Sequence, residues 1–336
     1  MTPKQRMAAI AQGIKPDRIP FLPTIIEHSA YIIGQTPSQV AQDTGLIAAA
    51  HIQAYKLYHP DSITIGIDIY NIEAEALGCQ VRFYNDASIP GIVSRPLTHE
   101  SATSIKTFSE NMGRIQTMLT AATAVKQAVG DEVSVNIGIC GPFSILMELM
   151  GFEAAIEGFY DDEAKIHKLL EALLAFQKSY ATTIAACGLG VVVFESWASP
   201  PLVSPEIYRQ YAFPYEAALI AHIKSLGLPS CPLVIGGDTS HIVDDIIQTG
   251  TTLLVADYNA PLQLYVKKAR QKNITVRANI DPKQVQNGDW SNIKKRVQEI
   301  QNQVDVYPKI VAGTGVIPYN TPPENLQRVK ELLTQQ

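Results

Sequence analysis

Cysteine is scarce and scattered: Cys79, Cys140, Cys187 and Cys231 are the only four in 336 residues, and no two form a Cys-x-x-Cys pair. That spacing offers neither a disulfide framework nor a ready-made zinc cluster, and each thiol reads as a small buried hydrophobe. Positive charge is never concentrated. Lys+Arg number 27 against 32 Asp+Glu, for a formal net charge of −5, so the chain lacks the electrostatic footprint of a nucleic-acid binder. No run of about 18 apolar residues passes without charge or turn residues, which argues against a membrane span. The opening MTPKQRMAAIAQGIKPDRIP lacks the apolar core of a secretory signal. A cytoplasmic location is expected, with neither nucleic acid nor membrane as partner. A Gly-x-Gly-x-x-Gly after the first apolar run is also missing, which argues against a dinucleotide-binding sheet.

Hydrophobic residues make up 46% of the chain and charged residues 18%, enough apolar surface for a full-sized core. Eight short β-branched runs recur: Ile19–Ile26, Ser62–Ile67, Val133–Ile139, Leu189–Phe194, Pro232–Ile235, Thr252–Ala256, Ile274–Ala278 and Lys309–Val311. Segments with helical spacing separate them, such as Glu163-AKIHKLLEALLAFQKSYATTIAA. Another begins with Ser204 as N-cap and Pro205 at the first helical position. Strict alternation implies a parallel sheet with helices outside, and eight units at this length predict a single (β/α)8 barrel over residues 1–336. The stretch of about 71–132 exceeds one crossover. Its EAEALGCQVRFYNDASIPGIVSRPL reads as a helix followed by a β excursion, inserted after the second strand and lying over the barrel mouth.

Chemistry in such barrels sits where strands end. The candidates there are Glu27, His28, Asp68, Tyr70, Glu73, Cys140, Glu195, Asp238, Asp257, Tyr258 and Asn279. Several acids sharing one cavity would raise one another's pKa, as general acid work or cation binding requires. Each alone equally suits helix capping or loop bracing. Glu27 and His28 are adjacent, so they reach one site only if the strand has already ended. Tyr31, Tyr70, Trp197, Tyr258 and Tyr319 are aromatic surfaces for a flat ring or a quaternary ammonium, or ordinary packing residues. Gly313-Thr314-Gly315 reads as a tight turn with amides available to an anion. His167, His222 and His241 fall in helical stretches and read as surface or capping residues.

Seven segments appear in one order along the chain: DRIP (Asp17 to Pro20), Asp68 leading into EAEALG (Glu73 to Gly78), GPF (Gly141 to Phe143), Ser204 to Tyr215, GGDTS (Gly236 to Ser240), NIDP (Asn279 to Pro282) and TPPENL (Thr321 to Leu326). Together they resemble the uroporphyrinogen decarboxylase superfamily, and more closely its methylcobamide methyltransferase branch. The resemblance implies a (β/α)8 barrel with its site at the C-terminal mouth. Family decarboxylases look like cofactor-free enzymes that hold a carboxylated tetrapyrrole with arginines after the first strand and an aspartate after the second. Asp68 matches the aspartate, but the arginine segment is replaced by Thr24-IIEHSAYI, with Glu27 facing where substrate carboxylates would lie. Thiol-methylating members resemble zinc enzymes with a His-x-Cys near the fifth strand's end and a Cys after the eighth. The matching positions here hold Val234, Gly236 and approximately Val316, so zinc at that place and thiol methylation by that route are not expected.

The resemblance then implies a methyltransferase that moves a methyl group between a small methoxylated or amine-type substrate and a partner protein's corrinoid. Asp68, Glu195, Glu27 and His28 are the candidate catalytic residues, with Asp68 and Glu195 foremost because each directly follows a strand run. Tyr70, Trp197, Asp238, Asp257, Tyr258 and Asn279 are the candidate substrate-binding residues, and no metal ligand is assigned. A homodimer is compatible with this reading. Two alternatives stand beside it: a decarboxylase of a carboxylated substrate, and a binding barrel without catalysis.

Overall fold

Strand β1 (Phe21–Thr24) is followed in chain order by β2 (Ser62–Ile65), β3 (Gln80–Arg82), β4 (Gly91–Ser94), β5 (Ser134–Cys140), β6 (Gly190–Phe194), β7 (Leu233–Val234), β8 (Leu253–Ala256), β9 (Thr275–Ile280) and β10 (Ile310–Val316). This computed structural model describes residues 1–98, 104–200 and 202–334. Excepting the antiparallel pair β3–β4, the strands form two parallel four-stranded sheets, in the orders β1-β10-β9-β8 and β2-β5-β6-β7. All eight expected strands are therefore present, with helices between them. The helix Ile69–Ala76 and the β3–β4 hairpin stand where a helix and a β excursion are expected, and residues 99–103 of that segment lie outside the described residues.

The two sheets meet along seams where side chains replace part of the backbone ladder. Between β1 and β2, Asp61 N–H donates to Phe21 O at 2.9 Å while Phe21 N–H donates to the Asp61 carboxylate at 2.7 Å. Between β7 and β8, Thr252 N–H donates to Cys231 O at 3.2 Å, and Thr251 and Thr252 hydroxyls accept from Leu233 and Cys231 amides at 3.0 and 2.9 Å. Asp61 is fully buried, so its charge demands partners. It receives them from Arg6 and Arg18, and Arg6 also pairs with Asp17 at 2.7 Å, which holds the Asp17 carboxyl well below the usual carboxylate range. The DRIP segment is thus a clasp across the β1–β2 seam.

Alternation along each strand separates two interiors. Val276, Ala278 and Ile280 of β9 join the large core between strands and helices. Leu22, Leu253, Val255 and Val311 face into the barrel, where Met7 and Ile10 of the first helix (Pro3–Gln12) close its lower end. That helix starts cleanly because Thr2 and Gln5 form a reciprocal capping box with Pro3 at the first position.

Gly313-Thr314-Gly315 is strand, not turn. Gly313 pairs in register with Asn279 on β9 and Leu22 on β1. A Cβ on Gly313 would sit 2.6 Å from Asn279 Oδ1 and closer still to Arg277 Nε, so glycine is required there to admit two inward polar side chains.

Candidate active site

The expected acids do gather at the C-terminal ends of the strands, but in separate compartments. Asp68, just after β2, is buried and gripped in a bidentate pair by Arg114, with Nη1 to Oδ1 at 2.9 Å and Nη2 to Oδ2 at 2.7 Å. Burial pushes the Asp68 carboxyl up and the guanidinium pulls it back. Arg114 also donates to Glu75 at 2.5 Å and to Ala41 O at 3.2 Å, tying the helix Ile69–Ala76 to the helix Pro37–Gln42.

Glu195, just after β6, is fully buried and accepts a short hydrogen bond from Ser144 N–H. It therefore caps the helix Pro142–Met150, whose N-terminal amides and dipole favour a carboxylate. Gly141 makes this contact possible, because a Cβ there would fall 1.6 Å from Glu195 Oε2. Oε2 itself has no hydrogen-bond partner among the described residues, and burial pushes the carboxyl up to about 7. Glu73 is built the same way: Oε1 accepts from Cys140 N–H at 2.8 Å and from Gln177 Nε2 at 3.1 Å, Oε2 is unpartnered, and burial raises the group to about 7. Glu216 is a third fully buried carboxyl. It accepts from Tyr208 O–H at 2.5 Å and is raised well above the carboxylate range by burial and by Glu195.

Around these acids, Tyr70 and Ser196 bind each other, with Tyr70 O–H donating to Ser196 Oγ at 2.5 Å and Ser196 N–H donating to Tyr70 Oη at 3.1 Å. Trp197 donates from Nε1 to Glu148 at 2.8 Å and stacks on Phe152 with ring centroids 6.0 Å apart. These contacts bring Tyr70, Glu195 and Trp197 to one sector, on the loops after β2 and β6.

A second sector lies across the barrel. Asp257, after β8, accepts from Gly237 N–H at 2.8 Å, Tyr258 N–H at 3.0 Å and Asn279 Nδ2 at 3.1 Å. Asp257, Tyr258 and Asn279 therefore share one network with the loop after β7. Ser199 donates to Gly236 O, clasping that loop to the one after β6. Asp238 stands apart, exposed, accepting from Ser240 N–H at 3.0 Å within its own turn.

Glu27 and His28 diverge although they are neighbours. Both fall after β1 has ended, at the start of the short helix His28–Ile32. His28 is fully buried, its Nε2 2.7 Å from Tyr58 Oη and its Nδ1 2.9 Å from Tyr319 O, and burial lowers its pKa. It fastens the first loop to the chain's last one. Tyr31 and Tyr319 pack edge to face beside it, centroids 5.3 Å apart. Glu27 is half-buried, its carboxyl is met among the described residues only by its own backbone amide, and desolvation pushes it up to about 7.

Sequence reasoning missed Arg114, Gln177, Glu216 and Arg277. Only Arg277 carried a local signal: a single cation inside an otherwise apolar and small strand run, TVRANI. Arg114 and Gln177 act on groups 46 and 104 residues away, and Glu216 meets Tyr208 eight residues before it across an irregular helical turn.

A family profile described as Uroporphyrinogen decarboxylase (URO-D) matches residues 2–335, and the chain belongs to that family. Within it the chain falls in the methylcobamide methyltransferase branch. Methylcobamide:CoM methyltransferase MtbA of Methanosarcina mazei is 24% identical over 341 residues, covering 98% of this chain and 97% of that protein. Uroporphyrinogen decarboxylase of Chlorobaculum parvum is 24% identical over 308 residues, covering 85% of this chain and 82% of its own. The fold is that of a solved structure described as a methyltransferase from Methanosarcina mazei, with a TM-score of 0.86 at 19% identity over 99% of this chain and 98% of that one.

A zinc ion does not fit the three positions where the branch resemblance would place its ligands. Val234 packs into the barrel interior, Gly236 has no side chain, and Val316 is an exposed aliphatic; none offers a donor atom. Among the described residues, no group of three or more His, Cys, Asp and Glu is arranged to hold a metal ion. Likewise, no helix among them is long and apolar enough to cross a membrane.

Proposed function

We propose that this protein transfers a methyl group between a small methoxylated or amine-type substrate and the corrinoid of a partner protein, with Glu27 as proton donor. One observation carries the reading: among the described residues, Glu27 is the mouth carboxyl that combines a pKa of about 7 with a carboxylate that accepts no hydrogen bond from another residue, whereas Glu195 is held by the Ser144 amide. Asp68 is committed to Arg114 and Glu195 to the helix beginning at Pro142, which suits them to positioning the loops. The relatives named for methylcobamide chemistry support the corrinoid partner, and the aliphatic residues at 234 and 316 support an acceptor or donor other than a zinc-bound thiolate.

Methyl transfer from oxygen or nitrogen breaks a bond whose electron pair stays on the heteroatom. The partner's corrinoid would take the methyl group at cobalt, and the heteroatom would take the proton held by Glu27. A carboxyl at about 7 is protonated in part at neutral pH and is regenerated from water after each turnover. Tyr70, Trp197 and the Asp257–Asn279 pair would orient the substrate from the two sectors on either side.

The test is to mix the protein with a cob(I)amide-loaded corrinoid protein and a panel of methoxylated aromatics and methylated amines, following the cobalt spectrum. Methyl-cobamide should form with one donor class, fall roughly 10²- to 10⁴-fold in E27Q, and weaken as pH rises through about 7. Absence of methyl-cobamide with every donor, together with absence of the reverse reaction, would overturn the assignment. An E27Q rate equal to wild type would overturn the role of Glu27.

A further inference from the structure

A cavity of about 390 Å³ lies inside the barrel, its upper lining reaching Thr24, Ile25 and Ile26 just before Glu27. It runs from Lys4, Lys126 and Ser230, toward the N-terminal ends of the strands, up to Thr24 and Arg277. One side is polar, formed by Ser62, Thr64, Ser134 and Asn136 on β2 and β5; the other is apolar, formed by Leu22, Val192, Phe194, Val234 and Leu253. The residues that line it include three cations and no Asp or Glu, in a protein whose net charge is −5.

Arg277 is the unusual member. It is nine-tenths buried, on the inward face of β9, reaching over Gly313. Its Nη2 donates to two neutral oxygens, Thr24 Oγ1 and Thr314 O, the latter at 3.0 Å, and its Nε has no partner among the described residues. Lys4 and Lys126, by contrast, are engaged with the carbonyls of Gly130 and Cys187. Asp257 is near enough to favour the charged guanidinium, but its carboxylate bonds Gly237, Tyr258 and Asn279 rather than Arg277. Burial pulls Arg277 down to about 10, so it remains a cation at neutral pH. A buried cation without a hydrogen-bonded counter-charge costs several kcal/mol unless an anion completes it. Guanidinium geometry matches the two oxygens of an oxyanion.

The geometry points to a binding site inside the barrel for a small oxyanion with a short apolar body, its head on Arg277 and Thr24 and its tail against Val192, Phe194 and Leu253. This site lies just below the mouth, one inward position beneath Asn279, with its head on Arg277 and Thr24, which the methyl-transfer reading does not use. Carboxylates, sulfonates and phosphate esters share the head-group chemistry, so the experiment must sort them.

Butyrate, ethanesulfonate and ethyl phosphate titrated calorimetrically into the intact protein provide the test, with inorganic phosphate as a tail-less control. One tailed probe should bind one to one, more tightly than inorganic phosphate. Arg277→Met should weaken it roughly ten- to hundredfold. Val192→Phe, which fills the cavity and leaves the charge in place, should abolish it even if R277M folds poorly; circular dichroism checks both variants. No binding by any tailed probe, or binding unchanged in V192F, would overturn the proposal. Inorganic phosphate binding as tightly as the tailed probes would also overturn it, since that would mark a surface site.

Discussion

Replacing Glu73 by glutamine should change how stability depends on pH more than it changes stability itself. Glu73 is fully buried, and its Oε1 accepts two hydrogen bonds while Oε2 has none, so ionisation would leave charge on an oxygen that nothing stabilises. Its carboxyl therefore rises from 4.5 to about 7 in the folded chain. Below 4.5 both folded and unfolded forms carry the proton and the group contributes fully. As pH climbs from there toward 7, the unfolded chain releases a proton that the native state keeps, and stability falls. The whole displacement corresponds to an upper value of about 3 kcal/mol. Glu195 titrates over the same interval, so wild type alone cannot separate the two. The difference between wild type and E73Q can, because glutamine keeps the shape and the Oε1 acceptor but never ionises. Urea unfolding at about pH 5 and about pH 8 should show E73Q gaining on wild type by up to about 3 kcal/mol at the higher pH. A wild-type-minus-E73Q difference that is the same at both values would refute the claim that Glu73 is held neutral by burial.

Arg114→Met should cost about 3–5 kcal/mol in the same assay, because Asp68 and Glu75 lose their shared cation, and the double variant D68N/R114M should recover part of that loss. An R114M cost below about 1 kcal/mol would mean the pair is solvated in practice. Gly141→Ala should cost roughly 1–3 kcal/mol by driving Glu195 off the Ser144 amide, and the cost should shrink in an E195S background. Strict additivity of the two changes would show that the carboxylate does not occupy that space.

The barrel was legible because its strands are β-branched runs bounded by Gly, Asp, Glu or Pro, a pattern that survives without tertiary context. The shared resemblance then placed those strands in a known order. The candidate site was legible in residue type more than in arrangement. Strand-end position correctly put Asp68, Glu195 and Asp257 at the C-terminal ends, but could not show that Asp68 meets Arg114 from 46 residues away or that Glu195 turns back onto Gly141 and Ser144. Such partners come from helices of the outer layer, whose rotation about their own axes is fixed only by packing. Gly313-Thr314-Gly315 was misread for a related reason. Glycine favours turns when backbone conformation decides, whereas here the crowding from Arg277 and Asn279 decides, and that crowding belongs to the neighbouring strand.

The two seams described for the barrel give the molecule a mechanical grain. Within each half-shell, neighbouring strands are joined by parallel amide ladders, whereas the shells are joined along opposite edges largely by Asp61 and by the Thr251–Thr252 pair. Stiffness is therefore high within a shell and lower between shells. Any breathing of the wall is channelled into those two lines, so the interior volume widens by parting halves while every individual strand pair stays intact.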